Sequence, residues 1–358
     1  MIRVIAFYLP QYYPTDFNDK WWEQGFTEWT NVAKAKPLFP GHYQPKLPGA
    51  LGFYDLRLPE TREKQAELAK RAGVESFMYW HYWTAGKKVL SEVFEDVVRL
   101  GKPDMGFSLC WANHSWIKSW EDSSEILIKQ EYGSQNDWEK HFQYLLQFFK
   151  DPRYEKRDNK PLFMIFDYQI PNKEQFFDYL DKRCKDYGFD GIFLIETIIF
   201  KEHQNPHDIA KHAWSGVSRY FLREPNAALK FYSQDSRFSF AWLKICIKYI
   251  LCKMGLKSAV KTRSADDLYN SMIKHFFKDE KWIHGLFFSW DNTPRHKERG
   301  YIIFPVTKIA LKKYYDLIKD EDYLFINAWN EWAEGMILEP TTEHPFKYLE
   351  WIKDLSKH

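Results

Sequence analysis

The chain has 358 residues, and its 51 basic and 49 acidic side chains leave a formal net charge of only +2. This balance argues against a nucleic-acid binder and against an acid-rich tail. The length suits one large α/β barrel or two ordinary domains. Aromatic residues make up 19% of the chain, with 16 Trp; such rings suit an aromatic-rich core or stacking against the C–H faces of sugars.

Several kinds of site and location have no support in the sequence. The four cysteines are too few for a disulfide scaffold, and no C-x-x-C pair indicates structural zinc. There is no P-loop and no G-x-S-x-G elbow, and we expect neither a cofactor nor a metal ion. The N-terminus has no signal-peptide features, and no apolar segment is long enough to span a bilayer. We therefore expect a cytoplasmic protein.

Short runs of β-branched and aromatic residues alternate with amphipathic segments, as in the βα units of a parallel sheet. The predicted strands are residues 3–9, 75–82, 105–111, 161–167, 191–198, 213–221, 285–291 and 323–329. The clearest predicted helices are residues 60–72, 137–150, 173–187 and 302–318. Eight units predict a (β/α)8 TIM barrel as a single domain over 1–358. An open doubly wound sheet is the alternative, but no G-x-G-x-x-G follows the first strand.

Two connections are unusually long. Residues 10–59 hold seven of the 17 prolines and many aromatic residues, and we expect this long loop after the first strand to wall the pocket. Residues 227–283 predict a helical insertion before strand 7. Within it, residues 240–263 carry six basic side chains and no acidic one. Such a basic amphipathic helix either makes peripheral contact with the inner face of the membrane or docks on the barrel; both interpretations stay open.

Polar and aromatic residues gather after the predicted strands. In a barrel the C-terminal strand ends form one rim, and active sites lie there. The predicted substrate-binding residues at this rim and in the first loop are Tyr8, Gln11, Trp29, His81, Tyr82, Trp111, Asn113, Asp291, Asn292, Arg295, Trp329 and Asn330. His81 and His114 lack metal-ligand spacing, so we expect them to bond sugar hydroxyls, with a structural role as the alternative.

Residues 327–335, Asn-Ala-Trp-Asn-Glu-Trp-Ala-Glu-Gly, follow the last strand and carry the predicted catalytic pair, Glu331 and Glu334. Two carboxylates in unequal surroundings can act as acid and base on a glycosidic bond. Side chains three residues apart point to opposite faces of an extended strand. The backbone must therefore turn after Glu331 if both are to face one pocket. A pair of solvated loop acids is the alternative.

A second acidic cluster, Asp320-Glu321-Asp322, formally matches the D-x-D motif of metal-dependent sugar-nucleotide transferases. It precedes the eighth strand, however, and so lies at the end of a barrel that serves stability rather than catalysis. We expect these three side chains to be solvated.

Seven motifs occur in order along nearly the whole chain. They are Phe-Tyr-Leu-Pro-Gln-Tyr at 7–12, Gly-Phe-Thr-Glu-Trp at 25–29, Gly-His-Tyr-Gln-Pro at 41–45, Tyr-Trp-His-Tyr-Trp at 79–83, Cys-Trp-Ala-Asn at 110–113, Asp-Asn-Thr-Pro-Arg at 291–295 and Trp-Asn-Glu-Trp-Ala-Glu-Gly at 329–335. In these motifs the chain resembles the WbsX-type glycosyltransferase family, whose domain is similar to glycoside hydrolase family 99. The resemblance implies a (β/α)8 barrel, metal-independent chemistry and a role in surface polysaccharide or O-antigen metabolism.

The resemblance also implies roles for the Glu pair. Glu331 would remove the proton of the sugar 2-hydroxyl, giving a 1,2-anhydro intermediate and retention, and Glu334 would serve as acid and then as base. His114 stands where the resemblance leads us to expect Glu, which affects the choice of substrate. We therefore predict a retaining enzyme that cleaves or transfers a glycosidic bond of a glycan or lipid-linked oligosaccharide. A nucleotide-sugar-dependent transferase and a non-catalytic glycan-binding barrel are the alternatives.

Overall fold

The computed structural model describes residues 2–117, 125–201, 204–236 and 260–355. Eight parallel strands form its central sheet, each paired with the next along the chain, and the last pairs with the first. These strands are β1 (Arg3–Tyr8), β2 (Ser76–Thr84), β3 (Gly106–Trp111), β4 (Lys160–Ile165), β5 (Phe193–Ile198), β6 (Arg219–Leu222), β7 (Trp282–Leu286) and β8 (Tyr323–Ile326). Ile5 of β1 aligns with Ser76 on one side and Phe325 on the other, so the sheet is closed. The predicted (β/α)8 barrel is confirmed.

Helices surround the barrel and occupy its loops. Their bounds are Asp16–Trp21, Glu28–Lys34, Pro59–Ala72, Glu92–Leu100, Gln135–Phe149, Lys173–Asp186, Pro206–Ala210, Asn226–Ser236, Ala265–Lys274, Thr293–His296, Lys308–Ile318 and Lys347–Leu355, with 3-10 turns at Lys297–Arg299 and Trp332–Glu334. Short strands outside the barrel are Lys87–Val89, Trp116–Ile117, Ile126–Ile128, Lys156–Arg157, Lys261–Ser264, Trp290–Asp291, Tyr301–Phe304, Asn330–Glu331 and Met336–Ile337.

The strands are buried on both faces, which is why they are near-continuous apolar runs in the sequence. In β2, every residue except the last is buried. Local sequence signals mark the ends of the helices that follow the strands. For example, Pro59 opens its helix, where its missing N–H costs no hydrogen bond, and Gly73 ends it at φ 86°.

The predicted bounds of four elements are wrong. The eighth strand is predicted at 323–329 but ends at Ile326. The sixth strand was expected at 213–221 but begins at Arg219, because a turn in which Val217 N donates to Trp214 O (3.0 Å) occupies the expected start. The seventh was expected at 285–291 but ends at Leu286. The predicted helix 302–318 begins only at Lys308, because Tyr301–Phe304 pairs as a strand with Lys261–Ser264.

The described parts of the predicted insertion 227–283 include the helices Asn226–Ser236 and Ala265–Lys274 and the strand Lys261–Ser264. Most of the basic segment 240–263 lies outside the described residues, which resume at 260. The bounds of the single domain 1–358 and of this insertion stay predictions. Over the described ranges, no helix has both the length and the apolar character needed to cross a membrane.

Candidate active site

A cavity of about 400 Å³ lies at the C-terminal ends of the barrel strands. Side chains from the ends of β2, β4 and β6 form its floor, and the segments after β7 and β8 supply charged groups. The loop 10–59 closes one side with Gln11, Trp22, Phe26 and Glu28 among others. The expectation that this loop walls the pocket is confirmed.

Glu331 and Glu334 both line this cavity, because the chain reverses between them. The short strand Asn330–Glu331 pairs antiparallel with Met336–Ile337, and a 3-10 turn joins the two. Gly335 has φ 63°, in the left-handed region that suits glycine. A Cβ there would lie 3.0 Å from the Cβ of Asp291. The turn that the mechanism requires after Glu331 is therefore present.

Buried hydrogen bonds hold this turn against the first loop. The side chain of Asn330 accepts from Leu9 N at 2.7 Å and donates to Leu9 O at 3.1 Å. The hydroxyl of Tyr12 donates to Asn330 O at 2.7 Å and accepts from Trp332 N at 3.0 Å. The indole of Trp332 donates to Glu339 at 2.7 Å. Each contact fixes the backbone that carries the carboxylates, as precise positioning of reacting groups requires.

Glu331 is the more deeply buried of the two acids, with 6% of the residue exposed. Its Oε1 accepts a hydrogen bond from Trp80 Nε1 at 3.2 Å. Burial, followed by the negative charge of Glu334, raises the pKa of Glu331 to about 7, although the positive charge of Arg295 opposes this shift. Glu331 can therefore bind and release a proton near neutral pH, as a general acid or base must.

Glu334 has a different environment, because it is paired with Arg295. The guanidinium contacts Glu334 Oε1 and also lies 3.0 Å from Glu28 Oε1. Trp290 Nε1 donates to the second oxygen of Glu334 at 3.1 Å. Burial disfavours the charge of Arg295, but the surrounding carboxylates outweigh burial and raise its pKa. The two acids of the pair thus differ in both burial and charge partner.

Five of the predicted site residues line the cavity: Gln11, Tyr82, Arg295, Glu331 and Glu334. Gln11 Nε2 donates to the hydroxyl of Tyr82 at 2.7 Å, so these two form one polar group on the wall.

Four other predicted residues are buried behind the rim and face the surrounding helices and loops. The hydroxyl of Tyr8 donates to Gln65 at 2.7 Å, and His81 Nε2 lies 2.9 Å from a ring nitrogen of His141. Burial lowers the pKa of His81 to about 3. Trp111 donates to a backbone oxygen, and Trp329 packs against Phe77 in a tilted arrangement at 5.2 Å between ring centroids.

The remaining predicted residues bond to loops rather than line the cavity. Trp29 and Asn113 donate to the backbone oxygens of Tyr54 and Asp167 at 2.8 and 2.7 Å. Asn292 accepts from Tyr301 N at 2.7 Å, and Asn330 holds the turn described above. Asp291 accepts from His42 and Gln44, and these bonds, with Lys46, overcome its burial and lower its pKa to about 2.

The cavity-lining residues that the sequence prediction missed include Glu28, Trp80, Phe166 and Arg223, whereas His114, expected to bond sugar hydroxyls, does line the cavity. Two signals would have found some of them. Side chains alternate along a strand, so selecting Tyr82 for the cavity selects Trp80 and rejects His81. Arg223 follows β6 directly, and examining the residues just past the predicted strand end at 221 would have found it.

We find no potential metal centre within the described ranges, where no three or more His, Cys, Asp or Glu side chains cluster as a metal ion requires. The carboxylates that line the cavity bond instead to an arginine side chain and to indole N–H groups.

The sequence is similar to a known protein family and to two named relatives. The family model described as Glycosyltransferase WbsX matches residues 4–352. Two proteins named WxcX and described as uncharacterized, from Xanthomonas campestris pv. campestris strains B100 and ATCC 33913, are each 30% identical over 97% of this chain. The chain covers 48% of each relative, so it spans about half the length of the relatives it matches.

Solved structures share the fold at low sequence identity. The GH99 endo-alpha-mannosidase from Bacteroides thetaiotaomicron has a TM-score of 0.52 at 14% identity, covering 99% of this chain and 98% of that one. A glycoside hydrolase-like protein has a TM-score of 0.60 at 13% identity, covering 99% and 93%. At these identities the likeness shows the barrel alone. The family match, in contrast, covers nearly the whole chain, and the chain belongs to the WbsX glycosyltransferase family.

Proposed function

We propose that this protein transfers or cleaves a glycosidic bond with retention, using Glu331 and Glu334, in the assembly of a surface polysaccharide such as an O-antigen. The observation that carries the proposal is the placement of two carboxylates with unequal surroundings in one cavity at the C-terminal rim. Aromatic side chains at the same cavity, including Trp22, Trp80 and Trp290, offer faces for a sugar ring.

In the proposed first step, Glu331 takes the proton of the sugar 2-hydroxyl, and that oxygen attacks C1. The bond from C1 to the leaving oxygen breaks as Glu334 protonates that oxygen. In the second step, Glu334 takes the proton of an acceptor hydroxyl, whose oxygen attacks C1 and opens the 1,2-anhydro ring, and Glu331 returns its proton to the 2-oxygen. Two inversions at C1 give net retention.

This sequence needs one proton on the pair when the substrate binds. The raised pKa of Glu331 supports that requirement, because the buried pair retains a proton close to neutral pH. Before the first step this proton must move from Glu331 to Glu334, which requires that a bound substrate displace Arg295 from the oxygen of Glu334 that it contacts. Arg295 keeps its second carboxylate partner, Glu28, throughout.

Transfer is the outcome that the family name favours, and the acceptor is then a hydroxyl of a growing glycan or lipid-linked oligosaccharide. Hydrolysis uses the same steps with water as the acceptor. Whether the enzyme transfers or hydrolyses depends on whether the acceptor side of the cavity admits a sugar and excludes water.

The mechanism is tested with glycosyl fluorides, in which fluoride replaces the leaving oxygen, in gluco and manno configurations. Because the 2-oxygen attacks C1 from the face opposite the leaving group, only donors with these two groups trans can react. We expect the 2-deoxy form of the active donor to be inert, and Glu331→Gln to lower turnover about 10²-fold to 10⁴-fold. Product anomers are followed by NMR.

Asp322→Asn, at the other end of the barrel, is the matched control and should keep full turnover. Glu334→Gln should slow donors with poor leaving groups more than fluorides, because fluoride departs with little acid assistance. A 2-deoxy donor that turns over as fast as its parent contradicts the 1,2-anhydro step, and full activity in both Gln variants contradicts the role of the pair.

We also propose that the protein works at the cytoplasmic face of the membrane, where residues 240–263 contact anionic lipid. The six basic side chains and Trp242 of this segment support the proposal. Wild-type protein should co-sediment with anionic liposomes, and Trp242→Ala with Lys244→Glu and Lys248→Glu should remain in solution. Equal sedimentation with neutral liposomes, or none with either lipid, argues for docking on the barrel instead.

A further inference from the structure

The cavity contains one cation that the proposed mechanism does not use. Arg223 follows β6 directly and lines the cavity beside the Glu pair. Its guanidinium carbon lies 4.9 Å from the ring centroid of Phe166 and 5.5 Å from that of Trp80. Trp80 is also the residue that donates to Glu331. Arg223 is therefore separated from the reacting carboxylate by a single indole ring.

Within the described ranges, no carboxylate forms an ion pair with Arg223, and its buried Nε has no hydrogen-bond partner. The other arginine of the cavity, Arg295, contrasts with it because Glu28 and Glu334 both contact that side chain. A guanidinium stays protonated in proteins, and a cation without a partner in a partly closed cavity is costly. The rings of Phe166 and Trp80 orient the guanidinium of Arg223, and its N–H groups stay available to a ligand.

The groups around Arg223 also favour an anion. His114 lines the same cavity, and its ring lies 4.9 Å from that of Phe166. Burial, and then the charge of Arg223, lower the pKa of His114, so the imidazole is neutral and can donate one hydrogen bond. Asn226, at the start of the helix Asn226–Ser236, lines the cavity as well and adds an amide donor.

We infer that Arg223 binds an anionic group of the sugar substrate, a carboxylate or a phosphate, immediately beside Glu331. A planar guanidinium matches the paired oxygens of either group. The source is a uronic acid in the first case and the phosphate of an activated donor in the second. The inference deepens the proposed function and rests on it, because it takes the cavity to be the sugar site.

The test measures binding and needs no turnover. Calorimetric titration of the Glu331→Gln variant compares D-glucuronate with D-glucose, D-mannuronate with D-mannose, and inorganic pyrophosphate with inorganic sulfate. The Gln variant is used because it removes a carboxylate that repels these anions. At least one anionic sugar, or pyrophosphate, should bind roughly 10-fold to 100-fold more tightly than its counterpart, as expected for a hydrogen-bonded charge. A preference for the uronates identifies an acidic sugar, and a preference for pyrophosphate identifies a phosphate.

Adding Arg223→Gln should remove this preference and leave the affinity for neutral sugars unchanged, whereas Arg223→Lys should keep part of it. Arg219→Gln, four residues earlier on β6 and paired with Asp322 at 2.9 Å, is the matched control and should change nothing. The comparison of charged with neutral probes needs no Arg223 variant, so it holds even if that substitution impairs folding. Equal affinities of each uronate and its neutral sugar and of pyrophosphate and sulfate, or no binding of any anionic probe, overturn the inference.

Failure here is distinguishable from failure of the proposed function. The loss of the anion preference leaves the predictions for 2-deoxy donors and for the Glu variants intact. Conversely, an anion preference that Arg223→Gln abolishes stands even if turnover follows another course.

Discussion

The two ends of the barrel both carry many charged side chains, but they hold these charges differently. At the N-terminal end, Arg3 bonds to both oxygens of Glu155 at 2.6 Å, with 39% of its side chain exposed. At the C-terminal end, the side chain of Arg295 is 10% exposed and lies between two carboxylates. The first arrangement has a half-exposed arginine, and the second is a buried one that the proposed mechanism requires substrate to rearrange.

The larger cavity is at the end without the Glu pair. A hollow of about 1270 Å³ lies among Arg3, Glu155 and Asp322, against about 400 Å³ at the rim. Size and charge density therefore do not identify the active site. The rim cavity combines a buried carboxylate of raised pKa, Glu331, with Arg223, which has no carboxylate partner among the described residues. Perturbed charged groups that meet in one cleft are typical of functional sites.

The second acidic cluster belongs to this N-terminal end, as predicted, but the expectation that its members are solvated is wrong for two of them. Glu321 lies 2.6 Å from His284 Nδ1, and Asp322 pairs with Arg219 at 2.9 Å. These contacts tie the start of β8 to its neighbour β7 and to β6, the next strand beyond it. The cluster therefore holds barrel strands together at this end, which is a structural use of acidic side chains.

The largest expected difference between the two ends is in stability. Arg295→Met leaves Glu28 and Glu334 unpaired and should lower the free energy of unfolding by about 3–5 kcal/mol. Arg157→Met, whose side chain is 42% exposed beside Asp322, should cost about 0–1 kcal/mol. Urea denaturation measures both. Similar losses for the two variants would show that burial does not distinguish the two networks.

The next effect concerns pH. The pKa of Glu331 is about 7 in the folded protein against an ordinary 4.5, so the native state binds more protons between these values and stability falls as pH rises through them. Glu331→Gln removes this loss and should be about 3 kcal/mol more stable relative to wild type at pH 8 than at pH 4. Denaturation at both pH values tests this, and parallel curves for the two proteins contradict it.

The smallest effect concerns two glycines with nearly the same backbone conformation. Gly335 at the rim has φ 63°, and Gly101, which ends the helix before β3, has φ 66°. A Cβ at Gly101 meets nothing within 4 Å, whereas one at Gly335 meets Asp291 at 3.0 Å. Gly101→Ala should cost about 1–2 kcal/mol for the left-handed conformation alone, and Gly335→Ala more. Equal thermal shifts would show that the turn at Gly335 is not crowded.

Much of the fold followed from the sequence by itself. Apolar runs that alternate with amphipathic segments predicted eight βα units, because strands that are buried on both faces appear in the sequence as continuous apolar runs. The rim rule then led to Glu331 and Glu334, and ordered motifs led to the family. Both conclusions rest on local patterns along the chain; the match over residues 4–352 confirms the family, and the Glu pair stays a prediction.

Only the tertiary structure decided which rim residues enter the cavity. His81 and Trp80 are adjacent in β2, yet one faces a helix and the other bonds to Glu331, because side chains alternate between the faces of a strand. The ion pair of Glu28 with Arg295 joins residues that are 267 positions apart in the sequence. Arg223 has no carboxylate partner in the described ranges because the fold brings no acidic side chain close enough to pair with it. Which charged side chains pair depends on the distances between them in the folded protein, and these distances cannot be read from the order of residues.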